Sequence, residues 1–166
     1  NAHHQALHRV STRGKEIVQA ITDDYNLPLG LIAPCDPHHP LLQALDPDIF
    51  ARSTRDSTLL MLLNAGPLHR EITDLSFKTE TLLFGSSANL SLQGTKFRVE
   101  DIEPEIMQIA DVVIDHGLVK YHPWQASSTL LDCETLQVLR FGSCYENIAD
   151  ILWRHFRVRL PERPAA

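Results

Sequence analysis

Seven residues in the middle of the chain, Thr58-Leu59-Leu60-Met61-Leu62-Leu63-Asn64, restrict its fold more than any other stretch. The run is the most apolar in the sequence, yet it falls far short of the ~18 apolar residues that a membrane helix needs. Asp56 on one side and Gly66-Pro67 on the other mark turns. A run so short and so closely punctuated predicts a strand buried on both faces, as in the interior of an α/β sheet.

Helical patterns lie on either side of it. Ile17, Val18, Ile21 and Tyr25 recur at helical spacing and predict an amphipathic helix over 14–25. Leu27 to Ala33 reads as a buried strand with Pro28 confined to its start. Pro34 to Pro40 is a loop, followed by a helix over Leu41 to Leu45 and, after Asp46-Pro47-Asp48, a further helical stretch through Ala51. Pro67 opens a helix that runs to Leu75. Thr81-Leu82-Leu83-Phe84 and Asp111-Val112-Val113-Ile114-Asp115 read as strands. Between them Ile102, Ile106, Ile109 and Ala110 share a helix face, with Pro104 opening the helix proper. Two short strands, Thr129 to Leu131 and Gln137 to Phe141, precede a last helix, Tyr145 to Phe156, whose stripe is Ile148, Leu152 and Phe156. Asn1 to Arg13 shows no period and is expected to fray or lie on the surface. Strands thus alternate with helices, which predicts an α/β domain with a twisted, open, mixed sheet flanked by helices.

Composition agrees with one domain. With 166 residues, 43% hydrophobic and 22% charged, the chain can bury a sizeable core. It has no apolar signal segment, so a cytoplasmic location is expected. A start at Asn1 without Met suggests a piece of something longer. The net charge of −6 argues against a whole-surface grip on nucleic acid. Arg154, Arg157, Arg159 and Arg163 gather near the end and read as the solvated cations of a helix C-terminus. Three cysteines, Cys35, Cys133 and Cys144, stand at no metal spacing and read as reduced core thiols. Cys35-Asp36-Pro37-His38-His39 has no second ligand pair at zinc spacing, so no metal site is assigned and the segment reads as a turn.

Chemistry concentrates in three segments. Gly85-Ser86-Ser87-Ala88-Asn89-Leu90-Ser91 offers hydroxyls, an amide and backbone N–H groups without bulky side chains, which suits phosphate or carboxylate oxygens. Ser127-Ser128-Thr129-Leu130-Leu131-Asp132 repeats the hydroxyls, and Leu139-Arg140-Phe141-Gly142 adds a guanidinium suited to phosphate. Each sits at or beside a predicted strand end, where ligands of open α/β sheets gather. Tyr121, His122, Pro123 and Trp124 lie just before the second segment and pin a loop or stack on a base.

This ordered set resembles the YrdC-like family, whose best-known members are the L-threonylcarbamoyladenylate synthases of tRNA modification. The family's Ser/Thr-Ser-Ala-Asn-x-Ser motif matches the stretch from Ser86 or Ser87 to Ser91. Its Ser-Thr-Val-Val-Asp motif matches Ser128-Thr129-Leu130-Leu131-Asp132, and its Leu-Arg-x-Gly motif matches Leu139-Arg140-Phe141-Gly142. The resemblance runs from about Thr81 to Phe156. It implies the YrdC-like fold, a twisted open α/β sheet, and a nucleotidyltransferase reaction in which ATP, with magnesium, bicarbonate and L-threonine yield threonylcarbamoyl-AMP and pyrophosphate, with no tightly bound cofactor. Carried over, Ser87, Ala88, Asn89, Thr95 and Arg140 hold nucleotide and phosphate, while Ser86, Ser128 and Thr129 hold the amino-acid part. No catalytic residue is assigned.

The family's N-terminal motifs are missing. In the N-terminal part neither Pro-Thr-(Asp/Glu)-Thr nor Lys-x-Arg is present, and Arg13-Gly14-Lys15 stands too far from Leu27-Pro28-Leu29 to replace the latter. Leu59 to Asn64 lacks the Arg of the family's Val-x-Val-Arg-x-Pro strand, and Leu92 stands where the family has Gly. The expectation is one YrdC-like domain that is divergent or lacks its N-terminal part. A rival is a non-catalytic module of the same fold that binds double-stranded RNA or tRNA, or associates with the ribosome. A second rival, a serine hydrolase using Ser86 or Ser87 with Asp115-His116, lacks the final Gly and the helix of a nucleophile elbow.

Overall fold

In the computed structural model residues 2–91 and 93–165 are described; Leu92, the position aligned with the family's Gly, lies outside the described residues. The chain divides into two compact units, one comprising the segments before Phe84 and after Ser127, the other Phe84–Ser127.

The first unit is a mixed five-stranded open sheet with flanking helices, an α/β arrangement. Its elements are α1 (Ala2–Leu7), α2 (Thr12–Gln19), β1 (Leu29–Pro34), α3 (Pro40–Gln43), α4 (Pro47–Ser53), β2 (Thr54–Arg55), β3 (Thr58–Leu63), α5 (Pro67–Lys78), β4 (Leu130–Asp132), β5 (Val138–Arg140) and α7 (Tyr145–Phe156). The strand order is β2-β3-β1-β4-β5. β1 pairs antiparallel with β3 and parallel with β4, while β5 closes antiparallel on β4.

Local chemistry explains the boundaries. Ser11 caps α2 by accepting from the Gly14 N–H, and Ala20–Asp24 continues the helix as a π-helical turn. Asp46 caps α4 through the Asp48 N–H, and Pro40, Pro47 and Pro67 occupy the first turns of their helices. Ile17, Val18 and Ile21 pack with Leu29, Leu31, Leu63, Leu131, Ile148, Ile151 and Leu152 into one core, so α2 and α7 cover the same face of the sheet. Gly30 makes the parallel pairing possible: a Cβ there would stand 2.2 Å from Leu130 Cδ2 and 3.2 Å from the Thr129 carbonyl oxygen.

Several expectations are corrected. β3 is not buried on both faces: Leu59 and Leu63 are buried, but Leu60 is 52% and Leu62 41% exposed. Its two partners are antiparallel, and such a sheet need cover only one face. Ala2 to His8 do not fray. They form α1, with His3, His4, Leu7 and His8 buried, and a β-bridge from His8 to Cys35. Tyr25 is not on the core stripe; its hydroxyl contacts His155 Nε2 at 2.6 Å on the surface. Thr81 to Phe84 forms no strand, and neither does Asp111 to Asp115.

The second unit carries little regular structure: a 3₁₀ turn at Val99–Asp101, α6 (Pro104–Gln108) and a 3₁₀ turn at His122–Trp124. Pro104 opens α6, as its place in the sequence implies. Val112, Val113 and Ile114 are exposed. A Lys96–Glu103 ion pair at 2.6 Å is well shielded, and the Val119 N–H bonds the Phe97 carbonyl. Among the described residues no helix is long and apolar enough to cross a membrane.

Candidate functional site

Two of the three motif segments come together at one end of the sheet in the first unit. β4 and β5 are adjacent, so the residues just before β4 and just after β5 are neighbours. Ser128 and Ser143 form an isolated parallel bridge. Thr129 is fully buried; its hydroxyl donates to the Ser143 carbonyl at 3.0 Å and accepts from the Gly142 N–H at 3.2 Å. Arg140 donates from Nε and Nη2 to the Ser128 carbonyl at 3.0 and 2.8 Å. The guanidinium is thereby steered by the very segment that carries the hydroxyl motif. Desolvation lowers its pKa from the ordinary range, and it stays cationic.

These bonds separate roles that the sequence left merged. The Thr129 hydroxyl is spent inside the protein, so Thr129 shapes the turn and does not face a ligand. Ser128 is half-buried, and its hydroxyl has no hydrogen-bond partner among the described residues. Ser128 and Arg140 are therefore the groups of this turn that can reach an anion.

Ser86, Ser87, Ala88, Asn89 and Thr95 belong to the second unit. Ser86, Ser87, Ala88 and Thr95 are exposed, and the three hydroxyls among them make no hydrogen bond among the described residues. Asn89 closes the loop: its N–H bonds the Ser87 carbonyl at 3.0 Å, and its side-chain Nδ2 bonds the Leu90 carbonyl at 2.8 Å. Glu103 is held below the usual carboxylate range first by the Lys96 ammonium, which pairs with it at 2.6 Å. The Asp115 carboxylate accepts from the Gly117 N–H at 2.7 Å, a local turn.

Compared with protein-family models, with curated proteins and with solved structures, the chain finds no match.

Sequence reading missed a groove of about 930 Å³ in the first unit, lined in part by His4, His8, Lys15, Asp23, Arg70 and Asp74. His8 Nε2 donates to the Leu59 carbonyl at 3.0 Å, so its Nδ1 must accept from the His4 Nδ1–H at 2.8 Å. Burial is the first cause that lowers both imidazoles to about 4, and the neighbouring His8 adds to it at His4. The i, i+4 spacing of His4 and His8 was the one available signal. Arg13-Gly14-Lys15 forms the start of α2; Arg13 reaches the Phe156 carbonyl at 3.3 Å and Lys15 lines the groove. Asn64 donates to the carbonyls of Thr22 and Leu27.

The cysteine-histidine segment is a turn. Arg9 pairs with Asp36 at 2.5 Å, and His39 Nδ1 accepts from the Leu41 N–H. Among the described residues no three His, Cys, Asp or Glu side chains stand together as a metal site. Cys35, Cys133 and Cys144 are buried; desolvation pushes the Cys133 thiol up to about 12, which keeps it protonated and unreactive.

Proposed function

We propose that the chain is a YrdC-like nucleotide-binding protein, similar to L-threonylcarbamoyladenylate synthase and acting in threonylcarbamoyladenosine modification of tRNA. One observation carries this reading: segments about ten residues apart, both matching family motifs, share one turn, where Arg140 is aimed by the Ser128 carbonyl. A planar guanidinium beside an unengaged hydroxyl suits the oxygens of a phosphate. In this role Arg140 holds phosphate and Ser128 the amino-acid part. Such a reaction demands placement of a carbamate against the α-phosphate and neutralisation of its oxygens, more than a protein nucleophile.

Calorimetric titration of ATP with magnesium, with and without L-threonine and bicarbonate, tests it. Saturable binding that threonine tightens and that Arg140→Ala abolishes is the expected result. Absence of binding overturns the reading.

A second reading, RNA binding, draws on the end of α7. The guanidinium carbons of Arg157 and Arg159 lie 5.7 and 4.5 Å from the Trp153 ring centroid, an arrangement of cations and aromatic surface that single strands favour. RNA affinity that falls steeply with salt, and that Arg159→Ala weakens, is its signature.

A further inference from the structure

The segment that follows α7 returns to the turn between β5 and α7. Val158 and Leu160 pack against the main core, and the Tyr145 hydroxyl donates to the Pro161 carbonyl. Two residues later Arg163 reaches across. Its Nη1 donates to the Phe141 carbonyl at 3.0 Å, its Nη2 to the Gly142 carbonyl at 2.8 Å, and its Nε to Glu146 Oε1 at 2.7 Å. The guanidinium carbon also lies 5.6 Å from the Tyr145 ring centroid. Salt bridges of half-exposed groups contribute little by themselves. What is held matters more.

Phe141 and Gly142 directly follow Arg140. Each carbonyl shares a rigid peptide plane with the next N–H, so a donor on both carbonyls fixes the orientation of the Gly142 and Ser143 amides. One of those amides is the donor to the Thr129 hydroxyl that joins the two motif segments. Only an arginine fork spans two successive carbonyls and a carboxylate at once.

We propose that Arg163 is a positioning residue for the anion-binding turn: by clamping Phe141-Gly142 it holds Arg140 and Ser128 in the single arrangement that receives a phosphate group. The inference rests on the reading of this turn as a phosphate site and adds to it the segment after α7, which no motif marks.

The test combines calorimetry of MgATP with ¹⁵N NMR of the Gly142 N–H and the Arg140 Nε–H, on the full chain. At a temperature where circular dichroism shows it fully folded, Arg163→Ala is expected to bind MgATP about tenfold more weakly, with both signals displaced. Arg163→Lys keeps the charge but not the fork and is expected to recover little. Glu146→Gln, which weakens one anchor of the clamp, is expected to cost about threefold and carries the test if Arg163→Ala does not fold. Wild-type affinity in Arg163→Ala, or in Glu146→Gln where that variant carries the test, overturns the proposal, whatever happens to the melting temperature. If the wild-type chain binds no MgATP, the phosphate reading fails by itself. The clamp is then judged on NMR alone: displaced signals in Arg163→Ala sustain it, and unmoved signals overturn it.

Discussion

Leu131 and Ile109 are both aliphatic, and they end at opposite extremes. Leu131, in the first unit, is fully buried; Ile109, in the second, is 77% exposed. The difference lies in pairing. Leu130–Asp132 is flanked by β1 on one side and β5 on the other, and the missing side chain of Gly30 lets Leu130 come close. Asp111 to Asp115 has no ladder among the described residues, and Val112, Val113 and Ile114 are 75%, 48% and 55% exposed. A short apolar run becomes a strand only where a partner waits, and that is a property of the whole fold.

The comparison can be broken most directly in the core. Leu131→Ala or Ile148→Ala removes a side chain from the centre of the first unit and is expected to cost about 2–5 kcal/mol in urea unfolding, whereas Ile109→Ala should fall within about 0.5 kcal/mol of the parent chain. Equal losses would remove the distinction.

Acid should also act on the first unit. His4 and His8 are held at about 4 in the folded state against 6.5 when unfolded, so the unfolded chain binds more protons between those values. Their contribution is complete above pH 6.5 and is lost as pH falls towards 4. His8→Gln, whose amide can still donate to the Leu59 carbonyl, should flatten the urea midpoint against pH in that window. An unchanged slope would mean that the pair does not stay neutral.

Smaller effects sharpen the contrast. Gly30→Ala places a methyl group against Leu130 and is expected to cost about 1–3 kcal/mol, while Gly85→Ala, with nothing within 4 Å of the new Cβ, should be nearly silent. Thr129→Val keeps the shape but removes the bonds to Ser143 and Gly142, for an expected loss of about 1–2 kcal/mol.

What was legible follows from the kind of signal each element gives. α7 could be read to the residue because Ile148 and Leu152 repeat at helical spacing and the core receives that stripe. β1 and β3 could be placed, but a block of leucines does not say which face is covered, and β3 was misread there. α1 was hidden because histidines count as polar, while His3 and His8 bury themselves by bonding Ser76 and the Leu59 carbonyl. Of the site, Ser128 and Arg140 were legible as motif residues. That Thr129 is structural, and that Arg163 belongs to the turn, follows from hydrogen bonds between residues more than ten positions apart.

Amide chemical-shift mapping of the ¹⁵N-labelled chain against MgATP is the most direct test of the central claim. The expected result is a saturable response at Ser128 and the Arg140 to Gly142 turn, lost in Arg140→Ala. No response there, or one gathered instead around Trp153, Arg157 and Arg159, would contradict it.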